Sequence, residues 1–134
     1  MQSVDIHSKS RYSIHRYTRY KEELMAVDKG YMSGSSQMLV LNLLNEKSRY
    51  GYELIKTLKQ RSNDVFDMKE GTLYPILHKL ENDGLILSYN QEVSGRTRKY
   101  YAITDKGKKV LVKEKEEWMQ FSSAVNQVLT FQGV

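Results

Sequence analysis

From Ser36 on, this chain carries a nearly continuous apolar run, then two stretches with apolar positions at helical spacing, then strand spacing, then helical spacing again. From Ser36 the run Gln37 to Glu46 is apolar nearly all round, with Met38, Leu39, Val40, Leu41, Leu43 and Leu44 interrupted only by Asn42. A helix of that kind belongs in the centre of a core. After Lys47-Ser48-Arg49, residues Tyr50 to Arg61 predict a second, amphipathic helix, with Tyr52, Ile55 and Leu58 on one face and Glu53, Lys56, Lys59 and Arg61 on the other. Ser62-Asn63-Asp64 ends it, and Val65 to Asp67 connects in extended form. In the next segment Leu73, Ile76, Leu77 and Leu80 line one face of a third helix. Pro75 lacks a backbone donor and clashes with the turn before it, which predicts a start near Gly71–Thr72 with Thr72 as the cap; Asn82-Asp83-Gly84 then ends the helix. Helix, short connection and helix in that order predict a helix-turn-helix.

Beyond Gly84 the period shortens. Leu85 to Tyr89 and Lys99 to Thr104 are rich in β-branched and aromatic residues and flank a Ser94-Gly95-Arg96 turn, which predicts a β-hairpin. Tyr100 and Tyr101 point to opposite faces of their strand, so at most one packs on the core. Thr104 caps a last helix, with Asp105 favourable at its positive end. Along that helix Leu111, Trp118 and Val125 stand seven apart, with Glu114, Phe121 and Val128 each three residues after one of them, a seam suited to a partner helix from a second copy. The same stripe would also serve to fold back on the amino-terminal helix of its own chain, since periodicity does not say whose surface it covers. Before the first core helix, Ile14, Tyr17, Leu24, Val27 and Tyr31 fall loosely on one face and predict a short amphipathic helix between Ser13 and Val27.

The fold class expected is therefore α+β: mostly α with a small β-hairpin. It comprises an extension over residues 1–32, a winged helix-turn-helix domain over 33–104 and a C-terminal dimerisation helix over 105–134. With 134 residues, 40% hydrophobic and 28% charged, one globular domain plus extensions is the expectation. The longest apolar run, Met38 to Leu44, is too short to span a bilayer, and the polar first residues carry no export signal, so no membrane partner and a cytoplasmic location are expected. The absence of cysteine excludes disulfides, thiolate metal sites and thiol catalysis. His7, His15 and His78 lie in separate elements, and neither a nucleophile elbow nor a phosphate-binding or dinucleotide glycine motif is present. Neither an enzyme nor a metal or cofactor is expected.

Charge sharpens the picture. The net charge of +5 and pI near 9.3 permit a polyanionic partner without requiring one. The cations are concentrated where the elements need them: Arg96, Arg98 and Lys99 crowd beside Gly95 at the hairpin tip. The third helix leaves Lys69, Thr72, Tyr74 and Pro75 at its N-terminal edge, with His78 and Lys79 one turn on. A helix with a core-facing leucine stripe and small, hydroxyl-bearing or cationic residues at its start suits the major groove of double-stranded DNA, and a basic hairpin tip suits its sugar-phosphate backbone.

Three ordered motifs carry a resemblance: YGYELIKTL at Tyr50 to Leu58, EGTLYPILHKLENDGLI at Glu70 to Ile86, and SGRTRKYYAIT at Ser94 to Thr104. Together they resemble the PadR family of bacterial winged-helix transcriptional regulators, over about Ser33 to Lys113. The resemblance implies that Thr72, Tyr74 and Pro75 meet DNA, that Gly95, Arg96 and Lys99 belong to the wing, and that the last helix forms a homodimer. It also implies that some members take a small aromatic effector, a phenolic acid or flat drug, for which Trp118 and Phe121, with Met119 beside them, are the candidate floor; plain packing in the seam is the other reading of the same residues. The first thirty residues have no counterpart in it.

Two functions follow from the sequence. One is a dimeric, sequence-specific DNA-binding repressor; the other is a winged helix used as a protein-interaction module, since a fold does not dictate its use. Cations on both the helix edge and the wing tip favour DNA, on the expectation that they share one surface.

Overall fold

A computed structural model describes residues 34–132. The helix expected over Ser13 to Val27, with the rest of the extension over residues 1–32, lies outside the described residues. The described chain opens with α1 (residues 34–46). It continues through β1 (Arg49–Tyr50), α2 (Gly51–Arg61), α3 (Glu70–Asn82), β2 (Ile86–Val93), β3 (Arg96–Ile103) and α4 (Asp105–Thr130). The sheet is antiparallel in the order β1-β3-β2, so the architecture is the α+β winged helix that the sequence predicts. The sequence pattern does not reveal β1, because two residues are too few to show an alternation.

The core lies where the helices meet the sheet. Val40, Leu41, Leu43 and Leu44 of α1 pack in it with Leu54 and Leu58 of α2, Leu73, Leu77 and Leu80 of α3, and Ile86 and Tyr101 of the sheet. On α2 the buried stripe is Gly51, Leu54 and Leu58, whereas Tyr52, expected to face inward, is exposed. Both this stripe and the expected Tyr52, Ile55, Leu58 obey helical spacing, and the larger side chains point to the wrong one. Burial of Leu54 in the core, rather than of Tyr52, distinguishes the rotation adopted.

Helix ends follow local chemistry. At the end of α3 the Leu85 N–H donates to the Leu80 carbonyl (2.9 Å) and the Gly84 N–H to that of Glu81 (3.0 Å), with Gly84 at φ +74°. This is a Schellman motif, whose left-handed residue glycine adopts without strain. The start of α3 differs from expectation. Its cap is Lys69, which accepts from Thr72 and Leu73 N–H groups at 3.0 Å through its own carbonyl, so Thr72 is inside the helix and Pro75 stands in the second turn. The helix therefore tolerates a proline past its first turn. Between the strands, Ser94 (φ 53°) and Gly95 (φ 78°) both take positive φ, the signature of a two-residue type I′ hairpin turn whose twist matches the strands.

Arg49 joins the first three elements. Only 6% exposed, it donates through Nε to the Leu43 carbonyl (3.2 Å), through Nη2 to Glu46 (2.9 Å) and through Nη1 to Glu53 (3.2 Å) and Thr57 (3.5 Å). Arg61 grips the same Glu46 carboxylate with two hydrogen bonds, at 2.6 and 2.7 Å. A buried guanidinium is tolerable because these partners surround it.

Thr104 caps α4 as expected, accepting from the Gly107 N–H at 3.0 Å. Leu111, expected in the dimer seam, is 2% exposed and belongs to the core of its own chain. Glu114, the polar member of the seam, accepts a hydrogen bond from Gln37 of α1. The first turns of α4 thus fold back on their own domain. From Trp118 onward the apolar residues have no such cover: Trp118, Phe121, Val125 and Val128 are all exposed. The stripe is therefore intramolecular at its start and open further along.

Candidate nucleic-acid interface

The leucine stripe of α3 faces the core and so dictates what faces out. Thr72, Pro75, His78 and Lys79 are exposed on the far side. Tyr74 is displaced from Thr72 by two residues, roughly 200° around a helix with 3.6 residues per turn, and lies on the flank beside α2 and the sheet. There it is 39% exposed, its phenol against the backbone of Gly51. Thr72 and Tyr74, both expected at the N-terminal edge of the helix, thus flank the exposed face from opposite sides. Lys69 is exposed and forms an ion pair with Asp67 at 3.4 Å, so its charge is already shared within the chain.

On the hairpin, the register pairs Ser88 with Tyr101, Tyr89 with Tyr100 and Gln91 with Arg98. Ser88 donates to Glu81 of α3 at 2.5 Å, which marks the Ser88–Tyr101 face as the one turned to α3. Tyr101 is the inward tyrosine. Its burial pushes its hydroxyl pKa up, and the neighbouring Tyr74 and Glu81 add to the shift. Tyr100 faces the opposite way and packs between Tyr50 (5.5 Å, edge-on) and Tyr89 (5.9 Å, stacked).

The same alternation divides the wing cations, contrary to the expectation of one shared surface. Lys99 lies on the α3 side, its ammonium 5.7 Å from the Tyr101 ring. Arg96 and Arg98 lie on the other side, and the Arg98 guanidinium covers the Tyr50 ring at 4.5 Å. Arg98 is half-buried there, while Arg96 and Gly95 are exposed at the tip. The basic tip that reads as one cluster in sequence is, in three dimensions, an α3-side lysine, an exposed tip arginine and an arginine engaged by an aromatic ring.

On α4 the Trp118 and Phe121 rings are 6.1 Å apart and tilted by 42°, with Trp118 44% exposed and Phe121 60%. No cluster of His, Asp or Glu among the described residues is arranged to hold a metal ion. Among the described residues no helix is long and apolar enough to cross a membrane.

A helix-turn-helix with an exposed edge on its second helix, followed by a basic two-stranded wing, defines a winged helix-turn-helix domain. Residues 40–113 match the model of the transcriptional regulator PadR-like family, and the chain belongs to that family. It is 38% identical over 94 residues to an uncharacterized protein of Lysinibacillus sphaericus, covering 69% of this chain and 86% of that one. Over 73 residues it is 37% identical to a transcriptional regulator of Mycobacterium tuberculosis, covering 54% of this chain and 55% of the other. The crystal structure of a PadR family transcriptional regulator from Eggerthella lenta superposes with a TM-score of 0.72 at 30% identity, covering 86% of this chain and 99% of that one. One from Clostridium difficile superposes at 0.63 with 38% identity, covering 71% and 98%. The family and the fold inferred from the three motifs are both confirmed.

Proposed function

We propose that this protein is a sequence-specific repressor that binds double-stranded DNA as a cytoplasmic homodimer and has no catalytic activity. The observation that supports this best is the exposed edge of α3, where Thr72, Pro75, His78 and Lys79 stand clear of the core with Lys99 of the wing on the same side of the sheet. In this reading Thr72 and Tyr74 read base edges from the two flanks of the helix, and Pro75 offers apolar surface. His78, Lys79 and Lys69 meet the backbone nearby, and Gly95 lets the wing tip approach the sugar-phosphate backbone, where Arg96 and Lys99 meet separate phosphates. Family membership favours this over a protein-interaction module.

The homodimer rests on Trp118, Phe121, Val125 and Val128, large apolar residues left exposed along one helix. Burying them contributes about 1.5 to 3 kcal/mol for each large side chain. Trp118 and Phe121 also supply a stacking surface for a small aromatic effector, and quenching of the single tryptophan on titration with phenolic acids is the direct readout. Repression needs only that a bound dimer occlude a promoter.

The deciding experiment is selection by the purified chain from a random-sequence duplex pool. Enrichment of a two-fold symmetric site, protected in footprinting upstream of a gene whose expression rises when the protein is absent, is the expected outcome. A pool that stays unenriched while the protein pulls down a specific polypeptide would transfer the protein to the interaction class.

A further inference from the structure

Gly51 opens α2 and is buried, yet its own backbone does not require glycine: it is absent from the positive-φ positions and begins an ordinary helix. What lies over it explains the residue. A Cβ added at Gly51 would stand 2.9 Å from the Tyr74 hydroxyl oxygen, 3.3 Å from Cζ and 3.4 Å from Cε1. The rim of the phenol therefore rests on bare backbone, and a methyl group would crowd its oxygen. On its sheet side Tyr74 lies near enough to Tyr101 to contribute to the raised pKa of that residue. The remaining 39% of Tyr74 is exposed beside the outer face of α3.

We propose that Gly51 is a positioning residue for DNA reading: by presenting no side chain, it lets Tyr74 fold across the start of α2, which sets the reach of the phenol at the edge of the recognition surface. This inference rests on the reading of the protein as a sequence-specific DNA binder. Its physical basis is the kind of atom encountered. The close neighbour is the far end of a flexible side chain, which can yield, so Gly51→Ala is accommodated by the fold and expressed as a displaced phenol. Alanine also suits the helix itself better than glycine does, since it has less backbone freedom to lose on folding.

The test uses the full chain, a duplex that the wild-type protein selects from a random pool, and a scrambled duplex of equal length. Gly51→Ala should weaken binding to the selected duplex about tenfold, the size expected when a single base-reading interaction is removed, and binding to the scrambled duplex by less than about twofold. In a Tyr74→Ala background the same substitution should have no further effect. Wild-type affinity for both duplexes, or a loss undiminished in the Tyr74→Ala background, overturns the positioning role while leaving the functional reading intact. A wild-type protein that selects no duplex overturns the functional reading instead. Thermal melting tests the contact without DNA: any loss caused by Gly51→Ala should be recovered by adding Tyr74→Phe, which removes the oxygen nearest the new methyl. A loss that stays the same with Tyr or Phe at position 74 makes Gly51 merely structural and sinks the proposal.

Discussion

The carbonyl oxygen of Leu85 lies 2.1 Å from where a Cβ on Gly107 would stand, with Ile103 Cγ1 2.7 Å from the same point. The first turn of α4 is thus pressed onto the entrance of β2, and the same carbonyl accepts hydrogen bonds from the Thr104 N–H and hydroxyl, both at 3.0 Å. Wing and final helix are joined at this point. A backbone carbonyl cannot swing aside as a side chain can. Gly107→Ala should therefore destabilise the fold by about 1 to 3 kcal/mol or more, as overpacking does, seen as a lowered melting temperature. An unchanged melting temperature would mean that α4 is free to shift on the sheet.

Arg49 ties the end of α1 to α2 from a buried position. Arg49→Ala removes the donor to the Leu43 carbonyl and leaves Glu53 and Thr57 without that partner. The expected cost is about 1 to 3 kcal/mol, the range for leaving a buried acceptor without its donor, because Glu46 and Glu53 are partly exposed and keep Arg61 and Lys47 as partners. Arg49→Lys should recover only part of it, because an ammonium does not reproduce the fork of a guanidinium. Denaturant titration of the two variants separates charge from geometry.

Acid should loosen the same junction. The Arg61 guanidinium, hydrogen-bonded to Glu46 and assisted by Arg49, holds that carboxyl at about 2 against an ordinary value of 4.5. A lowered folded-state pKa stabilises the fold fully above the ordinary value, and the contribution is lost as pH falls from there toward about 2. Glu46→Gln should flatten the fall in melting temperature across that window. Because Glu46 is solvent-accessible, added salt should diminish the difference between wild type and variant.

On the proposed dimer, Trp118→Ala combined with Phe121→Ala should give monomers in sedimentation at micromolar concentration while the melting of the winged domain is retained. Leu111→Ala should instead lower stability by about 2 to 5 kcal/mol, as for a buried leucine, because its side chain packs within one chain. A double variant that still sediments as a dimer would move the interface elsewhere.

The divided wing makes the cations separable. Neutralising Arg96 or Lys99 should reduce the salt dependence of DNA binding by roughly 0.9 in log-log slope for each phosphate left without its cation, on selected and random duplexes alike. Arg98→Ala should leave that slope nearly unchanged and lower stability by about 0.5 to 1 kcal/mol, because Tyr50 is deprived of the guanidinium over its ring. A slope change for Arg98 equal to that for Lys99 would show that Arg98 leaves the ring to meet DNA.

Much of this protein is written in local chemistry. The leucines at positions 73, 77 and 80 select the inward face of α3 from spacing alone, and Gly84, Thr104 and Ser94-Gly95 mark ends and turns because each satisfies a backbone requirement within a few residues. The three ordered motifs sufficed for the family for the same reason: each is a local solution to capping, turning or packing. Where several solutions satisfy the same local rule, sequence stops deciding. Two stripes of α2 fit helical spacing, and only the burial of Leu54 against the other elements of the core chooses between them. Leu111 and Trp118 occupy equivalent places in one heptad seam, yet the first is covered by its own domain and the second is not, because that domain reaches only the beginning of α4. Arg96, Arg98 and Lys99 are neighbours in sequence, but the pleat parts Lys99 from the two arginines, and Tyr74 meets Gly51 although the two stand on different helices. Periodicity determined which residues could share a face; the tertiary structure alone decided what each face meets, because that depends on surfaces brought together from distant parts of the chain.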